Sequence, residues 1–264
     1  GDPSTTMAVD WVTQHHHSDI LRYREFGDTD WTIAIGTSHQ YPDGVLTVHR
    51  AELTELKPDT RYEFEIMGIR PFLEDHDTLL FQTMPRTLTR PIQFVNGGDM
   101  YHELDWLNAM NQRAASLDPD FILLGGDLAY ADRGKTWKWY TWLDSCKRHF
   151  VTEDGRMIPI VVAIGNHELI TRAGIGTDSA PQFYSLFKMP HPGAYYALDF
   201  GDYLSLIILD TDHTAPVDGP QKDWLKQALE KRRGRMHLFA AYHRSAYGSV
   251  KVDNDTHVER IREH

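Results

Sequence analysis

The chain has 264 residues, 41% hydrophobic and 25% charged, and a net charge of −11. That length accommodates two ordinary domains, and that composition is the composition of a globular protein. The acidic balance excludes a nucleic-acid partner bound through clustered Lys and Arg, and no apolar run reaches the roughly 20 residues that span a bilayer. A small phosphorylated substrate stays open, because bound metal cations dominate the local field. Cys146 is the single cysteine, so an intramolecular disulfide is excluded and the redox compartment is left open. No signal peptide is visible, but Gly1 is not a natural start, which leaves room for a leader that has been removed.

Residues 1–88 predict an all-β unit. Met7–Val12 and Trp31–Ile35 alternate in the manner of half-buried strands. Tyr41-Pro42-Asp43-Gly44 predicts a turn, after which Val45, Thr47 and His49 alternate with Leu46 and Val48. Leu56 to Arg61 leads past Pro58 into Tyr62 and a strand from Phe64 to Met67. A Tyr just inside a strand after a Pro-containing corner is the tyrosine-corner arrangement of β-sandwiches. Phe81–Pro85 predicts the last strand and the exit, with the boundary between Pro85 and Pro91. His15-His16-His17 falls between two strands and reads as a solvated loop.

Residues 89–264 alternate strand and helix, which indicates an α/β unit. Leu104, Leu107, Met110, Ala114 and Leu117 recur at helical spacing before Pro119. Trp137, Trp139, Tyr140, Trp142 and Leu143 predict a core-facing helix over Thr136–Phe150, with a wall of the substrate cleft as the other reading. Tyr195–Phe200 and Tyr203–Leu209 flank Gly201-Asp202 as a hairpin. Gln221–Arg232 predicts a helix with Trp224, Leu225, Ala228 and Leu229 inward.

Four predicted strands of this half end alike. Pro91–Val95 runs into Asn96-Gly97-Gly98-Asp99, and Phe121–Leu124 into Gly125-Gly126-Asp127-Leu128-Ala129-Tyr130. Ile158–Ile164 runs into Gly165-Asn166-His167-Glu168, and His237–Tyr242 into His243. Open α/β sheets bind ligands beyond the carboxyl ends of their strands. Hard carboxylate and phenol oxygens at such a mouth point to an oxygen-rich metal site.

Gly126-Asp127-Leu128-Ala129-Tyr130 resembles the GDxxY block of the purple acid phosphatases, within the calcineurin-like metallophosphoesterases. Gly165-Asn166-His167-Glu168 is similar to their GNHE block, Ala240-Ala241-Tyr242-His243 stands where they carry VxxH, with Ala240 in place of the Val as a core change, and Asp99 stands where DxG begins. The resemblance implies a fibronectin type III-like sandwich over 1–88 and an α/β metallophosphoesterase domain, a β-sheet sandwich flanked by helices, over 89–264. It implies binuclear metal-dependent hydrolysis of phosphomonoesters. Asp127 would bridge two metal ions, with Asp99 and Tyr130 on the first, Fe(III), and Asn166 and His243 on the second, a divalent Fe, Zn or Mn. A phenol with an ordinary pKa near 10 ionises at neutral pH only beside a strong Lewis acid, so Tyr130 favours a trivalent first metal. Asn166 and His167 would contact the substrate phosphate, with His167 as proton donor and Glu168 fixing it. A secreted or periplasmic location is implied by the family alone.

The sequence departs from the family in two further places. The GHxH block that gives each metal one more histidine is absent, so a segment not in this chain or a second chain is expected to supply it, with natural loss as the alternative. Tyr101 replaces the Gly of DxG and is expected to intrude on the site. Arg244 and Tyr247 are expected either near substrate or in packing, and His102, His191, His213 and His257 on surface loops. A phosphodiesterase or nucleotidase on the same scaffold, and a silent homologue whose sandwich binds glycan or protein, remain alternatives.

Overall fold

The computed structural model describes residues 1–14, 18–68, 78–171, 175–190 and 193–246. His15–His17, His191, Tyr247 and His257 lie outside the described residues.

The first half holds seven strands: β1 (Met7–Thr13), β2 (Ile20–Glu25), β3 (Thr32–Ile35), β4 (Thr37–Gln40), β5 (Thr47–Leu53), β6 (Arg61–Ile66) and β7 (Leu79–Gln82). They form two sheets, ordered β1-β5-β4 and β3-β2-β6-β7, in which every pairing is antiparallel. Alternate residues of both sheets meet in one cluster that includes Trp11, Leu21, Leu53, Tyr62, Phe64 and Phe81. The predicted corner is present: the Lys57 N–H donates to the Tyr62 hydroxyl at 2.8 Å. The predicted turn is present too, with the Gly44 N–H on the Tyr41 carbonyl at 2.9 Å.

The second half runs β8 (Phe94–Gly97), α1 (Leu104–Ala115), β9 (Phe121–Leu124), α2 (Thr136–His149), β10 (Ile160–Val162), α3 (Pro181–Leu186), β11 (Tyr196–Phe200), β12 (Leu204–Ile208), α4 (Pro220–Lys231) and β13 (His237–Ala241). Strands β8, β9 and β10 form a parallel sheet with β9 in the middle. Strand β12 pairs antiparallel with β11 and parallel with β13 in a second sheet. Because β9 is apolar on both faces, it is packed from both sides. Phe121 and Leu123 meet Phe200, Leu206 and Ile208 of the second sheet. Ile122 and Leu124 meet Leu107 of α1, Trp139 and Trp142 of α2 and Phe183 of α3. All four ligand-bearing loops thereby leave the carboxyl ends of their strands.

Several side chains face the other way from their prediction. The buried line of α1 is Leu107, Asn111 and Ala115, while Leu104, Met110 and Leu117 are exposed. Asn111 enters because its amide donates to the Ser145 hydroxyl of α2 at 3.0 Å, so a polar contact fixes the helix's rotation. On α2, Trp139 and Trp142 are fully buried and Trp137 is exposed. On α4, Ala228 points inward as expected, but Leu229 is exposed and the second buried residue is Gln221. Its amide bonds the backbone of Asp210 in both directions at 2.9 Å.

The two halves touch along one side. The Met157 N–H donates to the Leu80 carbonyl at 2.8 Å, and the Tyr203 hydroxyl to the Pro85 carbonyl at 3.1 Å. Tyr41 and Val48 join the cluster on the helical side of β9.

Candidate metal centre

The loops after β8 and β9 are laced together by backbone. The Asp99 N–H donates to the Gly126 carbonyl at 3.1 Å and the Met100 N–H to the Asp127 carbonyl at 3.0 Å. Asp99, Asp127 and Tyr130 have φ of 52°, 52° and 51°, a left-handed backbone that Asp tolerates and a bulky Tyr rarely adopts. Gly126 has φ 94° and lies so close to the β10 loop that a Cβ there would come 2.8 Å from the Gly165 nitrogen. A strained Tyr, two left-handed Asp residues and one obligatory glycine at a single mouth are the pattern of a functional site.

Among the described residues, Asp99, Asp127 and His243 form a group whose potential ligand atoms all lie within 4.8 Å of one another. The Tyr130 hydroxyl donates to Asp99 Oδ1 at 2.7 Å. His243 Nδ1 meets the Gly125 carbonyl at 3.0 Å, which leaves Nε2 turned to Asp127 Oδ2 at 3.2 Å. A metal-ligating His is held in this manner, one nitrogen fixed by a carbonyl and the other free to bind. Burial opposes charge on Asp127, yet His243 and the His167 N–H hold its carboxyl below the ordinary value. Burial likewise opposes charge on His243, but the Asp127 carboxylate raises its pKa overall. Oxygen and imidazole donors at this separation suit a cation. Burial and the Asp99 carboxylate push the Tyr130 phenol well up, so its ionisation needs a Lewis acid.

The β10 loop adds the rest. Asn166, His167 and Glu168 form one 3₁₀ turn. Asn166 is half-buried at the start of this turn, and its amide has no hydrogen-bond partner among the described residues. The His167 N–H donates to Asp127 Oδ1 at 2.8 Å. The His167 imidazole stacks on the Tyr130 ring at 4.2 Å, with Nε2 3.8 Å from Asp127 Oδ2.

Glu168 does not fix His167, contrary to expectation. Its carboxylate takes the N–H groups of Gly165 at 2.7 Å and of Asp127 and Leu128 at 2.8 Å. Burial, then the Asp127 charge, pushes the Glu168 carboxyl up to about 7, against those three N–H groups. The residue that holds His167 is Asp132, whose Oδ1 lies 2.5 Å from Nδ1. Its sequence signal was slight, an acid two residues past Tyr130 in the same loop.

Tyr101 does not intrude, because it is buried in the helical-side cluster. His102 is exposed as expected but packs its ring against Tyr130 at 4.5 Å. His213 is not a surface residue: it is 2% exposed, 5.6 Å ring to ring from His243. The Asp210 carboxylate draws it in by accepting the N–H groups of His213 at 2.7 Å and Thr214 at 2.9 Å. The Arg244 N–H donates to the Thr211 hydroxyl at 3.1 Å.

Carboxylates and an imidazole gathered at the carboxyl ends of a two-sheet α/β unit are the frame of a metallophosphoesterase. Residues 92–264 match the family model described as calcineurin-like phosphoesterase, and residues 1–77 the one described as the purple acid phosphatase N-terminal domain. The chain belongs to the calcineurin-like phosphoesterases. It is similar to purple acid phosphatase 22 of Arabidopsis thaliana, 27% identical over 190 residues, which cover 70% of this chain and 40% of that protein. The matched part therefore spans less than half of that relative's length.

Proposed function

We propose that the chain carries a two-metal site that hydrolyses phosphomonoesters. The observation that carries this reading is the convergence of Asp99, Asp127 and His243 within 4.8 Å, with Tyr130 bonded to Asp99. Asp127 would lie between two ions, with Asp99 and Tyr130 on the Fe(III) side and Asn166 and His243 on the side of a divalent Fe, Zn or Mn. When bound, such ions polarise phosphoryl oxygens and lower the pKa of water. His167 supplies the proton. As an imidazolium it keeps Nδ1–H on Asp132 and offers Nε2–H to the departing ester oxygen, ending neutral with the Nδ1 proton retained.

The first 88 residues form a fibronectin type III-like sandwich in this reading, supported by the two antiparallel sheets and the Tyr62 corner. The likeness to a purple acid phosphatase supports a monoester substrate. The full-length protein, as purified, should contain close to two metals, one of them iron. It should hydrolyse p-nitrophenyl phosphate faster than bis(p-nitrophenyl) phosphate, and a chelator should abolish both activities. Metal without turnover would overturn the enzymatic reading, and faster diester cleavage would move the substrate class.

A further inference from the structure

Lys138, in the first turn of α2, stands at the rim of this site with no acidic partner among the described residues. Its ammonium lies 4.9 Å from the centre of the buried Tyr101 ring and 5.9 Å from the centres of the Tyr130 and Trp137 rings. Tyr130 is the residue whose hydroxyl reaches Asp99. The lysine is half-buried, the first turn of α2 carries no acid, and among the described residues no carboxylate pairs with Lys138. Aromatic faces attract an ammonium without neutralising it, so they hold the charge in place and leave it available. Tyr101, which takes the place of a glycine in the family's DxG block, forms the nearest part of that cradle.

We infer that Lys138 is a specificity-determining residue that receives a second phosphate of the substrate. The inference rests on the phosphatase reading above and names the substrate class of that site: compounds with a further phosphate next to the scissile one. The position decides which group is held. The ammonium lies 5.9 Å from the centre of the Tyr130 ring, and it is the hydroxyl of that ring that reaches Asp99, so a phenol stands between the ammonium and the metal-ligating group. In this reading the scissile phosphate would sit among the Asp99, Asp127 and His243 donors, which leaves the ammonium for the next anionic group of the substrate. A fixed, unneutralised ammonium gives an anion a charge-assisted hydrogen bond, stronger than a neutral one.

A structural role makes a different prediction. If Lys138 only offsets the charge of Asp99 and Asp127, its removal affects every substrate alike. The test uses the full-length metal-loaded protein with Lys138→Met and Lys138→Arg. Steady-state kinetics would compare p-nitrophenyl phosphate with inorganic pyrophosphate, and calorimetry would compare inorganic phosphate with imidodiphosphate, an inert diphosphate. In Lys138→Met, KM for pyrophosphate and Kd for imidodiphosphate should rise about tenfold, while both single-phosphate values stay within about twofold. Lys138→Arg should recover most of the diphosphate affinity, since it restores the charge. Equal losses on both classes, no loss on the diphosphates, or a wild type that binds imidodiphosphate no tighter than phosphate would each overturn the inference. A wild type that turns over neither ester nor pyrophosphate defeats the phosphatase reading instead, and the two calorimetric titrations still decide the role of Lys138.

Discussion

Glu168 stands behind Asp127 and holds its loop: one carboxylate oxygen of Glu168 accepts the Asp127 N–H at 2.8 Å and the Gly165 N–H at 2.7 Å. The other accepts the Leu128 N–H at 2.8 Å. The carboxylate thus ties the turns after β9 and β10 together from inside the protein, where it is 1% exposed. Glu168→Ala strands three buried N–H groups, each costing at least about 1 kcal/mol, so a loss of about 3 kcal/mol or more is expected in urea denaturation. Metal affinity should fall with it, because the backbone of Asp127 loses its support. A variant within about 1 kcal/mol of wild type would show that water replaces the carboxylate without cost.

Gly165 offers a sharper probe of the same contact, because it removes no ligand. A Cβ at that position would overlap Oδ1 of Asp127, with the Asp127 nitrogen also close. The nitrogen is backbone, and Oδ1 ends a short buried side chain held by the His167 N–H, so the two loops must part. Gly165→Ala is expected to keep its far-ultraviolet circular dichroism and to bind metal at least about tenfold more weakly, as displaced ligand supports do elsewhere. Unchanged metal content after dialysis would show that the loops separate without moving Asp127.

The strand ends were legible in the sequence because their signal is local. Gly-Gly-Asp after an apolar run of four needs no partner to be read, and neither does Tyr62 after its Pro58 corner. What was illegible depends on contacts across the fold. Asp132 meets His167 from 35 positions away, across two loops that only the fold brings side by side. His213 looked like a surface loop residue because the Asp210 carboxylate that folds the loop inward satisfies backbone, which leaves no trace in hydrophobic periodicity. The face of α1 was misread for the same reason, since Asn111 is buried through Ser145. The first α/β strand was expected over Pro91–Val95 and begins at Phe94, because the Asp120 carboxylate takes the Gln93 N–H at 2.9 Å and starts the pairing there.

Asp132 should matter for turnover more than for stability. It is partly exposed, so Asp132→Asn is expected to change folding free energy by less than about 0.5 kcal/mol. It removes the charge that orients the His167 imidazole, and kcat should fall about tenfold or more with KM little changed. A rise in KM with kcat intact would mean that His167 binds substrate but passes no proton.

His213 gives the fold a pH dependence with a defined sign. Burial, with the charges of Arg244 and His243 beside it, pushes its imidazole down to about 3. In the unfolded chain a histidine takes its proton near pH 6.5. Between those values the unfolded state binds a proton that the folded state does not. This contribution is fully present above about pH 6.5 and is lost as pH falls towards 3. In chelator-treated protein, stability should fall by up to about 1.4 kcal/mol per pH unit across pH 6 to 4 from this residue alone. His213→Gln should have a shallower slope over that range whatever its absolute stability, and parallel curves for the two proteins would remove His213 as the cause.

Tyr130→Phe separates the two-metal reading from a purely structural one. The change deletes a single hydroxyl bonded to Asp99 at 2.7 Å and keeps the ring on which His167 and His102 pack. The net cost of such a bond is about 1 kcal/mol, so the fold should survive with little change in thermal unfolding. If Tyr130 ligates Fe(III), the variant should lose the visible absorption that a tyrosinate–iron pair gives and should retain less iron after dialysis. If the hydroxyl serves only Asp99, iron content and spectrum stay as in the wild type. Because the ring contacts persist in either case, a change in colour without a change in stability would trace to the oxygen atom alone.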